Sequence, residues 1–355
     1  MPDWMLYGAY GYTGELTARA AVARGHRPLL AGRSREKLAP LAEELGLEHV
    51  TVALDEPAEL IAALDRVRLV LNHAGPFVQT APLMVSACLA ARTHYLDITG
   101  ELLVFEDNYL RDEKARANGI AIISGVGFDV VPTDCLAVYV ADQVPDATHL
   151  AIAFATRIAS SSGTVLSSLG SVESVGMVRR VEGQYTEFPM GEGVRTVTFP
   201  QIGERQVMPI PWGDLATAYR ATGIPNITTY MALPPRIINT AKAVGGPVRS
   251  LLRGGPLRDL AVRCVKNYVS GPDDYTRQTT RSYVWAQAAG ASGQSVEAWL
   301  ETIEAYRMTA EASLNAVERV LAAGDLSGTL TPAQAFGADF VLDLPETTRY
   351  DSLPS

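Results

Sequence analysis

The sequence is poor in the residues that mark metal sites, disulfide frameworks and nucleic-acid binding. It has three cysteines and five histidines in 355 residues, and Cys88, Cys135 and Cys264 are too widely spaced to suggest a metal site. Few, scattered cysteines are typical of a reducing compartment, so we expect a cytoplasmic protein without a bound metal. The 39 acidic residues exceed the 30 basic ones, and the net charge of −9 argues against bulk nucleic-acid binding.

Long apolar segments are also missing. No run of about 18 apolar residues occurs, so the sequence predicts no membrane span. The first residues do not combine a basic stretch with an apolar run, so we expect no signal peptide. The composition is that of an ordinary globular protein, and the length suffices for two domains and a sizeable core.

A glycine-rich turn near the start of the chain is the most informative motif. Gly8-Ala9-Tyr10-Gly11-Tyr12-Thr13-Gly14 follows a short apolar strand, residues 4–7, and precedes a helix that runs to about residue 24. Such a turn predicts a dinucleotide site, although its G-x-x-G-x-x-G spacing is one residue longer than that of the commonest NAD fingerprint. The first glycine turns the chain, the second admits a pyrophosphate, and the third lets the helix pack on the sheet. The helix N-terminus offers free N–H groups to the phosphates.

The end of the second predicted strand indicates which cofactor is bound. An NAD site has Asp or Glu there to bind the ribose 2′-hydroxyl. This chain has Gly32-Arg33-Ser34, with Lys37 one turn further on. A guanidinium can pair bidentately with a 2′-phosphate and a serine hydroxyl can donate to it, so we expect NADP(H). Asp55 follows a third predicted strand, and can either contact the adenine or cap the helix before Pro57.

Strands alternate with helices from residue 4 to residue 123, which predicts an α/β domain with a doubly wound parallel sheet, a Rossmann fold. The fourth strand of such a sheet crosses to the other side of the first, where ligands bind, so the segment from Asn72 to Phe77 is expected to line the cofactor channel. The predicted strands are 4–7, 28–31, 50–54, 69–71, 94–99 and 120–123, and the later helices are 58–64, 82–91 and 102–118. The predicted cofactor contacts are Gly8, Tyr10, Gly11, Tyr12, Thr13, Gly14, Gly32, Arg33, Ser34, Lys37, Asp55, Asn72, Ala74, Gly75, Pro76 and Phe77.

The second half of the chain has a different pattern, which predicts an α+β substrate domain. Its sheet is expected to cover the nicotinamide end of the cofactor and to pair two subunits as a homodimer. The expected elements are strands at 149–155, 194–199, 206–210 and 227–232, a helix of small residues at 164–178, and a long helix at 296–321 with Ser295 as its N-cap. The predicted domains are residues 1–145 and 146–300 and a C-terminal helical segment, 301–355.

Five blocks of the first half occur in the order typical of one family: Gly8 to Gly14, Gly32-Arg33-Ser34, Asn72 with Gly75-Pro76-Phe77, Tyr95 with Asp97 and Gly100-Glu101, and Gly127-Phe128-Asp129 with Pro132 and Asp134. Through them, and through a block from Leu330 to Gly337, the chain resembles the saccharopine dehydrogenase-like NADP-binding family, in its branch of trans-acting enoyl reductases. The resemblance implies an NADPH-binding Rossmann domain, a mixed substrate domain and a C-terminal helix that returns to the Rossmann domain. Relatives usually have serine in place of Val130 and glycine in place of Leu136.

Candidate proton donors lie near the predicted strand ends. The Tyr-x-x-x-Lys pair of short-chain dehydrogenases is absent, because no tyrosine has a lysine four residues on. Hydride transfer from NADPH therefore leaves Tyr95, Asp97, Glu101, Asp129 and Asp134 to donate a proton or stabilise an oxyanion. Asp129 is the first choice because it follows a strand and lies close to two glycines, and Tyr95 and Asp97 are the next. The alternative is helix capping, by Glu101 of its own helix and by Asp129 and Asp134 of the helix near Pro132.

Three functions fit these residues. The first is an NADPH-dependent reductase of an activated C=C or C=O in a lipid- or polyketide-like substrate, free or carrier-bound. The second is an amino-acid imine reductase of the saccharopine type, and the third is a non-catalytic NADP sensor. The second needs arginines for the substrate carboxylates, for which the candidates are Arg157, Arg179, Arg180 and Arg195. Residues 236–266 hold seven basic residues and one acid, which indicates either a solvated helical hairpin or a basic surface for a lipid interface or an acidic carrier.

Overall fold

The computed structural model describes residues 2–156, 176–242 and 271–354, which form two compact units. Unit 1 comprises Met1–Val131 and Tyr306–Gly337, and unit 2 comprises Pro132–Ala305 and Ala338–Ser355. The segment near the C-terminus returns to the first unit, as the resemblance implied. The boundaries of the units along the chain differ from the predicted domain boundaries, and the predicted segment 301–355 is divided between the two units.

Some sequence predictions lie outside the described residues. They are Arg157, Cys264, most of the predicted helix 164–178 and the part of the basic segment 236–266 that follows residue 242. Within the described ranges, no helix has both the length and the apolar character needed to cross a bilayer.

The helices and strands are numbered in chain order. Up to residue 123 they are β1 (Trp4–Tyr7), α1 (Tyr12–Ala23), β2 (Leu29–Gly32), α2 (Arg35–Leu45), β3 (His49–Thr51), α3 (Pro57–Leu64), β4 (Leu69–Asn72), α4 (Phe77–Ala91), β5 (His94–Asp97), α5 (Leu102–Tyr109), α6 (Asp112–Asn118) and β6 (Ala121–Ile123). Later elements are α7 (Val131–Ala141), β7 (Ala147–Ala155), β8 (Val178–Val181), β9 (Gln184–Glu187), β10 (Arg195–Phe199), β11 (Gly203–Pro209), α8 (Asp214–Thr222), β12 (Asn226–Ala232), α9 (Asp274–Thr279), β13 (Arg281–Gly290), β14 (Ser295–Ile303), α10 (Ala305–Ala322), β15 (Gly328–Leu330), α11 (Pro332–Phe336) and β16 (Thr348–Tyr350).

Unit 1 is built on a parallel sheet in the order β15-β6-β5-β4-β1-β2-β3. This is the doubly wound order predicted from the sequence, with β15 added beside β6. Strands β1, β2 and β4 are buried along their whole length, as expected for a sheet covered on both faces. Tyr7 pairs with Ala31 and with Asn72, and Asn72 pairs with Asp97, so the carboxyl ends of these strands lie at one edge. That edge holds the predicted site residues.

Two predicted helices of unit 1 have different limits in the structure. Helix α4 begins at Phe77, and Pro82 lies inside it, whereas the sequence pattern placed its start at Pro82. The first turn of α4, which the sequence pattern missed, is capped by a residue distant in sequence. A local pattern cannot reveal such a cap. The helix predicted at 102–118 is two helices, because the chain breaks at Leu110 and Arg111.

Unit 2 contains a mixed sheet whose main path is β10-β11-β12-β7-β13-β14-β16, with β8 paired to β12 and β9 paired to β8. Strands β12 and β7 are parallel, and the other neighbours along this path are antiparallel. The predicted helix at 296–321 is wrong in its first third: Ser295–Ile303 is strand β14, and the helix begins at Ala305. Val296, Ala298 and Leu300 alternate with Glu297, Trp299 and Glu301, which is the two-residue period of a strand. Ser295 is therefore a strand residue and not an N-cap.

Candidate functional site

The turn between β1 and α1 has the geometry of a phosphate cradle. Gly8 has a φ of +83°, and a Cβ there would lie 2.9 Å from backbone atoms of His73 and Ala74. A Cβ on Gly14 would lie 2.3 Å from the Gly8 carbonyl oxygen. Gly11 is exposed, and a Cβ there would have only that carbonyl oxygen nearby, at 3.3 Å. Gly8 and Gly14 are thus needed for packing, and Gly11 leaves the backbone open to a ligand.

The N-terminus of α1 is available to an anion, whereas that of α4 is already occupied. Gly11 is the N-cap of α1 and has no side chain to accept from the first turn. At α4, the backbone N–H groups of Phe77 and Val78 donate to the two carboxylate oxygens of Glu101, at 3.0 and 2.8 Å. Glu101 occupies the N-cap position of α5, as predicted, but its side chain makes no cap bond there and caps α4 instead. The cradle and the helix dipole of α1 together fit a pyrophosphate.

A buried histidine lies against this turn. His73 belongs to the predicted segment Asn72–Phe77 but was not singled out by its pattern. Its side chain is buried, and neither ring nitrogen makes a hydrogen bond of ordinary geometry. Burial lowers the pKa of His73 to about 3, although the nearby Thr13 backbone acts in the opposite direction. The imidazole is therefore neutral near pH 7 and adds no charge to the cradle.

The end of β2 brings together the residues predicted to select the cofactor. A Cβ on Gly32 would lie 2.6 Å from Cε1 of Tyr10, and the Lys37 ammonium lies 6.0 Å from the centre of the Tyr10 ring. Arg33 is exposed, and Ser34 is the N-cap of α2 without a side-chain cap bond. Two cations beside an uncapped helix start fit a 2′-phosphate. The side chain of Asp55 is exposed, and its predicted alternative role as a helix cap is wrong because the N-cap of α3 is Glu56.

Arg33→Ala is expected to weaken NADPH binding roughly 10- to 100-fold and to leave NADH binding unchanged, because charge-assisted hydrogen bonds of this kind contribute about 1.5–3 kcal/mol. Titration calorimetry with both cofactors measures the change. Arg66→Ala is the matched control, since Arg66 is an exposed arginine of the same unit that pairs with Glu48 at 2.9 Å. Equal losses for NADPH and NADH would contradict a role for Arg33 in cofactor choice.

The segment from Asn72 to Phe77 has buried ends and an exposed centre. The Asn72 side chain is buried; its Nδ2 donates to the Tyr95 hydroxyl at 3.3 Å and its Oδ1 accepts from the Ala74 N–H at 3.0 Å. Phe77 is buried, while Gly75 and Pro76, joined by a cis peptide bond, are exposed. Asn72 and Phe77 therefore hold the loop, and Gly75-Pro76 is the part that a ligand can touch.

Tyr95 and Asp97 are buried at the end of β5. The Asp97 carboxylate accepts from the backbone N–H groups of Thr99 and Gly125, at 3.0 and 2.9 Å, and from the Ser124 hydroxyl at 2.9 Å. Burial raises the pKa of Asp97 to about 6, and these hydrogen bonds limit the rise. The contacts tie the end of β5 to the segment after β6, which is a positioning role. A direct part for either residue in proton transfer stays a prediction.

Asp129 lies where the same two strands end. A Cβ on Gly100 would be 2.9 Å from Asp129 Oδ2, so the carboxyl group packs directly over the Gly100 backbone. Burial raises the pKa of Asp129 to about 7, and the negative charge of Glu101 raises it further in the same direction. The residue as a whole is intermediate in exposure, while its carboxyl group is buried. A carboxyl group that holds its proton near neutral pH is suited to general acid catalysis.

Helix α10 supports the segment that carries Asp129. The Thr309 hydroxyl accepts from the Phe128 N–H at 3.1 Å, and the Ser313 hydroxyl donates to the Val126 carbonyl oxygen at 3.3 Å. A Cβ on Gly127 would lie 2.8 Å from Thr309 Cγ2, so only glycine fits there without displacement. Sequence reasoning missed Thr309 and Ser313, which are some 180 residues away in the chain from the segment they hold, and no local signal marks them.

The arginines proposed for the imine reductase alternative have other partners. Arg180 is 5% exposed; it donates to the carbonyl oxygens of Leu215 and Gly183, at 2.8 and 2.7 Å, and its guanidinium stacks on the rings of Tyr185 and Tyr219. Arg179 pairs with Glu192 at 3.3 Å, Arg195 stacks on Trp285 at 4.6 Å, and Arg157 lies outside the described residues. Arg180 is thus a structural residue. In the described part of the chain, no group of His, Cys, Asp or Glu side chains is placed to hold a metal ion.

Arg180→Lys is expected to lower the free energy of unfolding by about 1–3 kcal/mol, because lysine can neither stack between the two rings nor reach both carbonyl groups, which would lose their buried donors. Urea unfolding followed by circular dichroism measures the loss. Arg205→Lys serves as control, since Arg205 is exposed and its Nη1 donates only to the backbone of Glu204. If both substitutions had equally small effects, the buried contacts of Arg180 would be unimportant for stability.

Known proteins are similar to the N-terminal part of the chain, which contains the cradle. Residues 4–123 match the family model described as the saccharopine dehydrogenase NADP binding domain. Over 140 residues the chain is 37% identical to a trans-acting enoyl reductase of Mycobacterium leprae and to one of Mycobacterium tuberculosis. Each alignment covers 37% of this chain and 34% of the relative, so the matched segment spans about a third of the relatives' length. The predicted resemblance and the predicted NADP(H) cofactor are confirmed for this domain.

A solved structure is similar over nearly the whole chain. Saccharopine dehydrogenase (L-Glu forming) from Saccharomyces cerevisiae superposes with a TM-score of 0.65 over 97% of this chain and 96% of its own, at 11% sequence identity. At that identity the likeness concerns the fold alone. It confirms the predicted class, a Rossmann domain with a second α+β domain and a C-terminal helix that returns to the first.

Proposed function

We propose that the protein is an NADPH-dependent reductase of an activated C=C or C=O bond in an acyl, lipid or polyketide-like substrate. The observation that supports this most directly is the Asp129 carboxyl group, with a pKa of about 7, at the edge of the sheet that carries the NADP cradle. The enoyl reductase names of the 37% identical relatives favour the C=C bond. Those names describe the relatives, and the activity of this whole chain is our proposal.

The cofactor would be held by two groups of residues. The backbone of the Gly8–Gly14 turn and the start of α1 would bind the pyrophosphate, since Gly11 leaves that backbone exposed and a Cβ at Gly8 or Gly14 would clash with the turn itself. Arg33, Ser34 and Lys37 would bind the 2′-phosphate. Bound NADPH supplies the hydride for the reduction. Its nicotinamide end is expected near Gly75-Pro76, the exposed part of the loop after β4.

Asp129 supplies the proton in this proposal. Reduction of a C=C bond conjugated to a thioester carbonyl places negative charge on the carbonyl oxygen and the α-carbon, and a nearby acid must neutralise it. Asp129 holds its proton near pH 7 because it is buried and because Glu101 is negatively charged beside it. Glu101 stays at the N-terminus of α4, where two N–H groups stabilise its carboxylate. Asp129 must then be reprotonated before the next turnover.

A substrate screen tests the proposal. The full-length protein is mixed with NADPH and, separately, with enoyl thioesters, ketones and cyclic imines, and oxidation of NADPH is followed by absorbance. We expect oxidation with an enoyl thioester and a saturated thioester as product in the mass spectrum. Oxidation with imines alone would favour the saccharopine-type alternative. NADPH binding without oxidation by any substrate class would favour the sensor.

Other predictions about the whole protein remain predictions. They are the homodimer, the cytoplasmic location and the contact of residues 236–266 with lipid or an acidic carrier. Only residues 236–242 of that segment belong to the described part of the chain. Light scattering on the purified protein measures the first of them directly.

A further inference from the structure

An open groove of about 790 Å³ lies in unit 2, and none of the residues assigned above to the reductase lines it. It is bounded by the end of β7 at Ala155, by the start of β13 at Arg281 and Tyr283, and by the segment after β12, which includes Leu233. Ala155 and Tyr283 pair across β7 and β13, so their side chains share one face of the sheet. The volume is in the range typical of small-molecule sites.

The wall of the groove is mainly apolar. Ile202, Ala232, Leu233 and two prolines contribute aliphatic surface. Tyr283 continues this surface into the core cluster that contains Trp285 and Trp299. Apolar surface of this kind favours an aliphatic chain over a sugar or a nucleotide, because burying it gains about 25 cal/mol per Å².

Two arginines give the groove a cationic side. The Nη2 of Arg281 pairs with Glu346, but its Nη1 is buried and has no hydrogen-bond partner among the described residues. Arg205 also lines the groove and has no acidic partner in the described part of the chain; its Nη1 donates to the neighbouring carbonyl oxygen of Glu204. Glu204 is the acid that lines the groove with them. The exposed part of Arg281 and the guanidinium of Arg205 line the groove, so an anionic ligand would pair with Arg205 and compete with Glu346 for Arg281.

The geometry points to a second ligand site, built from other residues than the proposed reductase site, that binds an aliphatic chain ending in an anion. The chain lies along Ile202, Ala232 and Leu233, and the anion pairs with Arg205 and, in competition with Glu346, with the guanidinium of Arg281. A carboxylate and a phosphate monoester share this chemistry. The site goes beyond the proposed function, because it contains none of the residues assigned to NADPH or to proton transfer.

Binding of three probes to the full-length protein tests this site. Dodecanoate, dodecyl phosphate and uncharged dodecanol are titrated separately, with tryptophan fluorescence as readout because Trp285 and Trp299 adjoin Tyr283 in the same cluster. We expect one or both anions to bind and dodecanol to bind at least ~10-fold more weakly. The stronger anion identifies the head group. If neither anion binds, or if dodecanol binds equally well, the proposal is overturned.

Substitutions locate the binding. Arg281→Met is expected to weaken binding of the anion roughly 10- to 100-fold. Arg349→Met is the matched control, because Arg349 is a half-buried arginine of unit 2 that pairs with an acid, Asp339, outside the groove. Glu346→Gln is expected to tighten binding, since it removes the carboxylate that competes for Arg281. This variant tests the ligand site even if Arg281→Met does not fold. Equal losses in the Arg281 and Arg349 variants, or no gain with Glu346→Gln, would overturn the proposal.

Discussion

Asp129→Asn is expected to lower turnover at least ~100-fold while leaving the NADPH affinity within about twofold, because general acid catalysis typically contributes 10²- to 10⁴-fold. The amide has nearly the shape of the carboxyl group and keeps the packing over Gly100, but it cannot release a proton. Steady-state kinetics with the substrate found in the screen, together with calorimetry for NADPH, measures both values. Asp325→Asn, which removes the charge of an exposed acid in the same unit, is the control and should change neither.

The pH dependence follows from the same group. Because the pKa of Asp129 is raised to about 7, the acid form is depleted as pH rises through 7, and kcat/KM of the native enzyme should fall there. The residual activity of Asp129→Asn should lack that step. His73, with a pKa of about 3, stays neutral throughout this range and cannot produce it. A step that persists in the Asn variant would assign the titration to another residue.

The Asp129→Asn substitution should change the stability of the protein in the direction opposite to its activity. The folded-state pKa of Asp129, about 7, lies above the usual 3.8, so the folded protein binds the proton more tightly than the unfolded chain. That contribution to stability is fully present below pH 3.8 and is lost as pH rises through 7. Asp129→Asn should therefore unfold at higher urea concentration than the native protein at pH 8, with a smaller difference at pH 5. A variant less stable than the native protein at pH 8 would contradict this ionisation behaviour.

The first half of the fold could be predicted because its signals are local. Gly8, Gly11 and Gly14 follow a buried strand at a spacing that few other structures require, and the parallel strands are continuous apolar runs. The contacts that complete the site are not local. Glu101 caps a helix that starts 24 residues earlier, and Thr309 binds Phe128 across 181 residues, so the neighbouring sequence of neither residue reveals its contact.

The second half was harder to predict because its strands carry weaker signals. Ser295–Ile303 has no glycine or proline and contains residues common in helices, and this suggested one helix continuous with α10. Its alternation, which Trp299 interrupts with a second apolar residue, becomes decisive only when β13 pairs beside it, with Trp285 opposite Trp299. The pairing, rather than the intrinsic preference of the residues, determines the conformation. Arg180 illustrates the same limit, since burial between two tyrosines converts a candidate ligand-binding residue into a core residue.

Two glycine substitutions should separate the folding of unit 1 from its binding of NADPH. Gly14→Ala places a methyl group 2.3 Å from the Gly8 carbonyl oxygen and 3.0 Å from Ala9, where only backbone can move. Alanine is the better helix former by about 1 kcal/mol, but overpacking against backbone costs about 1–3 kcal/mol or more, so the net effect should be destabilising. Urea unfolding should show a lower midpoint, and NADPH binding should be lost with the shape of the cradle.

Gly11→Ala should have the complementary result. Its methyl group would meet only the Gly8 carbonyl oxygen, at 3.3 Å, and the φ of −75° at Gly11 suits alanine. The fold should therefore keep nearly its native stability, while the methyl group occupies the space that the pyrophosphate must enter and weakens NADPH binding roughly 10- to 100-fold. Gly324→Ala, at a position with no atom within 4 Å of the added methyl group, is the control for both. Native NADPH affinity in Gly11→Ala would contradict binding of the pyrophosphate at the start of α1, because a ligand that rests on the backbone there must collide with the added methyl group.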